Sequence, residues 1–235
     1  SNKMLKIGTA STIISPPEGV NLCGFPNGDR RKNTGVLLDL KAKALALDDG
    51  KRKALIITSD LIGLKAELVK QIRDGITSQT DVPAEGILVC CSHTHSGPYL
   101  TTYGSVSPDP DYLKELIEKM ITIGVQATKE QVPVTVGVGT GEVDLCHNRR
   151  VVDENGRSSS GWQDPEHKHT GIVDKRVFAL VFKTEDGKVK TIIANYACHP
   201  VVMGPPNTKV SADYPGYLQL YLEKVFPGAQ AMFAN

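Results

Sequence analysis

Apolar residues recur along the chain with two periods, and the switches between them divide it into elements. Runs with strand character fall at Leu5–Ile14, Lys41–Leu47, Lys53–Thr58, Ile87–Cys91, Val134–Leu145, Arg176–Lys183 and Val189–Tyr196. Asp48-Asp49-Gly50 and Glu185-Asp186-Gly187 join two pairs of these runs and predict hairpins, while Ser15-Pro16-Pro17 stops the first strand. Helical spacing replaces alternation from Leu64 to Ile76, where Leu64, Leu68, Ile72 and Ile76 share a face. A second helix opens at Asp109-Pro110, a cap followed by an N1 proline, and buries Leu113, Leu116, Ile117, Met120 and Ile121. A third, amphipathic, runs from Tyr217 to Val225. Hairpins alternating with strand-loop-helix units predict an α/β fold with a mixed β-sheet flanked by helices. Residues 1–235 are read as a single α/β domain. Ala229–Asn235 starts another apolar strand with no closing element after it, so further sequence is expected in the working protein.

Composition narrows the partners. With 235 residues and 40% hydrophobic content the chain buries a substantial core, and 27 basic residues against 26 acidic ones argue against nucleic acid or an anionic membrane as the main partner. A small or amphipathic substrate is expected. Five cysteines without regular spacing read as mostly buried thiols, with adjacent Cys90 and Cys91 pointing to opposite faces of one strand. No transmembrane run and no charged-then-apolar leader is present, and Ser1-Asn2 reads as a processing remnant. Both a cytoplasmic location and export with the signal peptide already removed fit this pattern.

The candidate chemistry sits at two strand ends. Ile87-Leu-Val-Cys-Cys-Ser-His93-Thr-His95 runs from a buried strand into two histidines, which alternation would place on one side. Thr191-Ile-Ile-Ala-Asn-Tyr-Ala-Cys-His199-Pro200 repeats the arrangement. Crevices in open α/β sheets lie beyond the strand carboxyl ends, so the two segments are expected to share one site there. Imidazole is both the commonest zinc ligand and the side chain best matched to proton transfer near neutral pH. Asp60, at the end of the first hairpin, is a ligand, supports one, or caps the helix over Ala66–Thr77; Asp213 both caps the third helix and faces the site. In Cys146-His147-Asn148-Arg149-Arg150, an arginine fixed near a metal could hold a carbonyl, carboxylate or oxyanion. His167 and His169 read as a solvated loop, Gly24-Phe25 as a turn with a buried aromatic, and Asn21 to Arg31 as a loop with a basic end. Gly137-x-Gly139-x-Gly141 lies inside a strand pattern and has the wrong spacing for a dinucleotide fingerprint. A rival chemistry makes Cys91, Cys198 or Ser96 a nucleophile, and a rival class is a non-catalytic binding or assembly module with an incomplete metal site.

The run Ser92-His93-Thr94-His95-Ser96-Gly97-Pro98, the pairs Asn148-Arg149 and His199-Pro200, and the turn Ser211-Ala-Asp213-Tyr-Pro-Gly216 occur in an order that resembles the neutral/alkaline non-lysosomal ceramidase family. Gly24-Phe25 and the Gly35–Ala44 segment are similar to that family's opening, so the likeness covers nearly the whole chain and the amino-terminal part of a family member. The resemblance implies a zinc amidase acting on the N-acyl bond of a sphingolipid, with His93 and His199 as metal ligands. It also implies that His95 contacts the reacting water or substrate, that Arg149 holds the reacting oxygen, and that a glutamate and a tyrosine from sequence after Asn235 complete the ligand set. Asp60, Asn148 and Asp213 are the residues expected to orient this group from behind. Beyond Arg149 the chain departs from the family's Ser-Pro continuation.

Overall fold

The computed structural model describes residues 4–26 and 31–235; Ser1-Asn2 and the Asn27–Arg30 part of the turn-rich loop lie outside them. The two predicted hairpins form as read, β3 (Lys41–Asp48) with β4 (Lys53–Ser59) and β9 (Arg176–Thr184) with β10 (Val189–Tyr196), both antiparallel. Together with β1 (Lys6–Ile13), β5 (Ile87–Cys91), β6 (Val132–Glu142) and β12 (Gln230–Phe233) they make one eight-stranded sheet, ordered β12-β10-β9-β6-β1-β3-β4-β5. It is mixed: β5 runs parallel to β4 and β12 parallel to β10, whereas the other pairs are antiparallel. The glycines of the Gly137-x-Gly139-x-Gly141 pattern lie within β6, paired to β9. Short strands β2 (Val36–Leu38) and β11 (Val210–Ser211) form a separate parallel pair, and β7 (Arg150–Val152) and β8 (Ser158–Ser160) a small hairpin.

Two apolar clusters explain the shape. Helices α1 (Ala66–Thr77) and α2 (Pro110–Ala127) cover one sheet face, where Ile72, Ile76, Leu116 and Met120 pack on Ala44, Leu55 and Ile57. The opposite face is covered by the sheet itself. Strands β1 and β6 share only the pairs Lys6↔Pro133 and Ile7↔Val132, a weak seam about which the sheet folds over. Ile7 and Leu45 from one half thereby meet Val134, Phe182, Ile193 and Met232 from the other in a second core. Gln230 and Lys43 stitch this core at its rim, donating across it to the carbonyls of Ala44 and Ala231 at 3.0 and 2.7 Å.

Helix starts separate the sequence rules that hold from those that fail. Asp109 caps α2 as expected, accepting from the Tyr112 amide at 2.8 Å with Pro110 at the first position. Asp60 does not cap α1, whose N-cap is Lys65 without a side-chain bond. The third helix, α3, spans Asp213–Val225 and so starts before Tyr217. Pro215 sits in its first turn, where a missing N–H costs nothing, so Pro-Gly there opens the helix and does not precede it. Ala212 stands at the N-cap with no side-chain bond, and it is Asp213, at the first helical position, whose carboxylate accepts from a first-turn amide, that of Tyr214, at 2.6 Å. No helix among the described residues is long and apolar enough to cross a membrane.

Candidate metal centre

Strand β5 is one edge of the sheet and β10 lies beside the opposite edge, yet the fold-over brings their carboxyl ends together. Asn235, just past β12, donates to the Ser92 carbonyl at 3.2 Å and marks the closure. At this junction the rings of His93, His95 and His199 lie with centroids 4.9, 4.8 and 4.6 Å apart, and their ligating nitrogens all fall within 4.8 Å of one another.

Strand alternation is not what aligns His93 with His95. Strand β5 ends at Cys91, and His93 adopts a left-handed backbone with φ 71°. This conformation is costly for a non-glycine residue and persists only where the surroundings hold it. They do: the His93 amide donates to the Leu61 carbonyl at 2.9 Å and its Nδ1 lies 2.6 Å from the Ile62 carbonyl oxygen. A carbonyl only accepts, so Nδ1 carries the proton and Nε2 keeps a lone pair directed away from the backbone.

His95 is buried, and its Nε2 lies 2.7 Å from Nε2 of the exposed His199. Burial, then the neighbouring imidazoles of His199 and His93, push His95 down to about 4. Burial, His93 and the nearby Arg149 charge also lower His199. Both rings are therefore neutral at physiological pH, the state in which an imidazole binds a metal. The buried Nδ1 of His95 faces the Gly24 backbone without a hydrogen bond of regular geometry. Gly24 has φ 122°, and a Cβ there would fall 2.5 Å from His95 Cγ and Nδ1, so this position admits glycine alone. Phe25, the buried aromatic expected in this turn, packs edge-on against His95 at 5.1 Å.

Behind the histidines stands a residue that sequence reasoning gave no individual role, the last of the turn-rich loop with the basic end. Arg31 is 2% exposed, and its guanidinium donates to the carbonyls of His95 at 3.0 Å, Asn207 at 3.2 Å and Cys23 at 3.4 Å. It also lies 4.9 Å over the Phe25 ring. The turn-rich loop adjoining a Thr-His-Ser-Gly run was the available signal, because loops carry backbone carbonyls that need a donor once buried. Thr94 donates to the Ser211 carbonyl at 2.7 Å, and Asn207 Nδ2 donates to the Ser96 hydroxyl at 3.0 Å, tying the turn to β11.

Asp60 is buried at the end of β4, accepting from the Lys41 amide at 2.9 Å and from Gln219 at 3.4 Å. Burial raises it to about 6, against the pull of the Lys41 amide and the Lys43 charge. It meets β3 and α3, and reaches His93 only through the chain that leads to Leu61 and Ile62. Asp213, also left-handed at φ 58°, accepts from the Met203 amide at 3.1 Å and so braces the loop after His199. The Tyr214 hydroxyl donates to the Cys198 carbonyl beside it. Asn148 donates to the Ile172 carbonyl at 3.0 Å and accepts from the Arg150 amide, organising its own loop. Arg149 is exposed, stacked over Trp162 at 4.3 Å. His167 is exposed as expected, whereas His169 is only partly so: its ring meets His147 edge-on at 5.0 Å and its amide donates to Asp164 at 2.9 Å. The candidate nucleophiles are poorly placed. Ser96 is buried and engaged by Asn207, and burial raises the thiols of Cys91 and Cys198, the latter to about 12.

Residues 6–234 match the family described as neutral/alkaline non-lysosomal ceramidase, N-terminal. The chain belongs to that family. The ceramidase relatives include the neutral ceramidase of Drosophila pseudoobscura pseudoobscura, 24% identical over 249 aligned positions that cover 94% of this chain and 32% of the relative. Among solved structures, neutral ceramidase from Pseudomonas aeruginosa superposes with a TM-score of 0.79 at 17% identity, covering 99% of this chain and 38% of that one. A ceramidase complexed with C2 superposes at 0.78 with 18% identity, over 99% and 37%. The mixed α/β fold is thus the ceramidase fold, and the chain spans about a third of the length of these ceramidases.

Proposed function

We propose that this ceramidase-family chain carries the metal-binding and proton-handling part of a zinc-dependent hydrolase that cleaves an N-acyl amide bond in a lipid substrate of the sphingolipid type. The observation that supports it is the meeting of three imidazoles, delivered by strands at opposite sides of the sheet, within 4.8 Å. Their chemistry fits zinc: the rings of His95 and His199 are held neutral, and the tautomer of His93 is set by the Ile62 carbonyl. When bound, zinc lowers the pKa of a water to about 7 and polarises a carbonyl.

His93 and His199 are the ligands in this reading, each offering Nε2. His95, kept neutral by burial and by its two imidazole neighbours, accepts a proton at Nε2 and returns it to the leaving amine. Arg149 donates to the developing oxyanion. Its field already reaches the site, since it helps to lower His199. Arg149 is exposed and stacked on Trp162, and its guanidinium makes no protein hydrogen bond among the described residues.

The test has two arms. Zinc titration of this chain should show one site, weakened in His93→Ala and His199→Ala. Hydrolysis of a short-chain N-acyl sphingosine, by a polypeptide carrying this chain and the rest of a ceramidase, should stop on chelation and return with zinc. Hydrolysis that survives thorough chelation would overturn the metal reading, and zinc binding without hydrolysis would make the chain a binding or assembly module.

A further inference from the structure

We propose that Cys146 and Cys198 form a reversible disulfide that ties the Arg149-bearing segment to the strand end carrying His199. The inference goes beyond the hydrolase reading, because it needs neither metal nor substrate.

The geometry is local and specific. Cys146 follows β6 on the way to His147, Asn148 and Arg149, and Cys198 immediately precedes His199. The Cys146 thiol donates toward the Ala197 carbonyl at 3.8 Å and accepts from the Tyr196 hydroxyl at 3.5 Å. It therefore lies against the carbonyl of the residue that immediately precedes Cys198. Tyr196 anchors the approach from both ends: its hydroxyl lies 3.1 Å from the Val143 carbonyl oxygen and accepts from the Leu145 amide at 3.4 Å. The stretch before Cys146 is thus clamped to the end of β10 before any bond forms, which keeps the movement needed for disulfide geometry small. The other cysteines are not so placed. Cys90 and Cys91 are neighbours on β5 and point to opposite faces, Cys91 is engaged by the Ser59 hydroxyl, and Cys23 lies beside Arg31.

The oxidant is a low-molecular-weight disulfide, RSSR. The Cys146 sulfur attacks one RSSR sulfur, forming a mixed disulfide and releasing RS−. The Cys198 thiol, too reluctant to ionise to serve as a nucleophile toward a free substrate, then loses its proton and attacks the adjoining Cys146 sulfur slowly, within the molecule; the second RS− leaves, and the two protons from the cysteines are taken up by the two leaving thiolates. Two protein thiols are oxidised and one RSSR is reduced to two RSH. The bond closes a loop that contains β7, β8, β9 and β10, and it sets Arg149 at a fixed span from His199.

The chain as it stands is incubated with oxidised glutathione, alkylated, digested without reduction and mapped by mass spectrometry. Two of the five thiols should become unavailable, in a linked pair of peptides holding Cys146 and Cys198. The thermal midpoint should rise by roughly 5–10 °C and fall back with dithiothreitol. Cys146→Ser and Cys198→Ser should each abolish the linked peptide and the rise, with the reduced melting curve of either variant showing that it folds. Five alkylatable thiols under excess oxidised glutathione would overturn the proposal. So would glutathione carried separately on Cys146 and Cys198, or a linkage through Cys23, Cys90 or Cys91; each can be read on the unsubstituted chain even if a variant fails to fold.

Discussion

The two sides of the candidate centre are built differently. On one side the turn from Ser92 to Pro98 is buried almost throughout, its backbone held by Leu61, Arg31 and Ser211 and its Ser96 hydroxyl by Asn207. On the other, Arg149 sits in an exposed segment held by contacts such as Asn148 to Ile172 and the stacking on Trp162. The first side is part of the folding core, so damage to it should appear as lost stability. The second is attached to that core, so damage to it should appear as lost turnover with folding intact. This contrast can be broken at several points.

The largest effect is expected at the metal. His199 is exposed and contributes little burial, so His199→Ala should weaken zinc binding by more than about 100-fold while the melting midpoint barely moves. Calorimetric titration with zinc alongside a thermal melt checks both halves, and a large fall in midpoint would place His199 in the folding core. Arg149→Ala should cost about 3 kcal/mol in kcat/KM, measured in the longer polypeptide, at unchanged stability. Normal turnover would remove Arg149 from the reaction.

On the buried side, Arg31→Met leaves three carbonyls without their donor and should lower stability by about 3 kcal/mol, read from urea denaturation. Asp60 gives a smaller, pH-dependent signature. Its native pKa of about 6 lies above the ordinary 3.8, so the native state binds the proton more tightly than the unfolded chain. Its share of stability is therefore full below pH 3.8 and is lost as pH rises through about 6, an effect on the order of 2–3 kcal/mol. Asp60→Asn should flatten this part of the stability profile between those limits; an unchanged slope would show that Asp60 titrates normally. Trp162→Ala is the mildest, removing a cation–π contact of about 1 kcal/mol and slowing turnover several-fold without unfolding the chain.

Local periodicity was enough for much of the frame. The hairpins around Asp48-Asp49-Gly50 and Glu185-Asp186-Gly187, the α1 and α2 helices and the Asp109-Pro110 start are set by interactions a few residues long, and such interactions are written in the sequence itself. The histidines were visible as the residues that follow two apolar strands, with His199 some hundred residues beyond His93. Three features came only from the tertiary structure. One is the fold-over at the β1–β6 seam, which lets β5 and β10 end at the same place. Another is the left-handed turn at His93, where the alternation of a strand was the wrong guide. The third is the burial of Arg31, set by the carbonyls of Cys23, His95 and Asn207 that the fold brings around it. Each depends on contacts between segments far apart in the chain, and no window of neighbouring residues carries the information that such contacts supply.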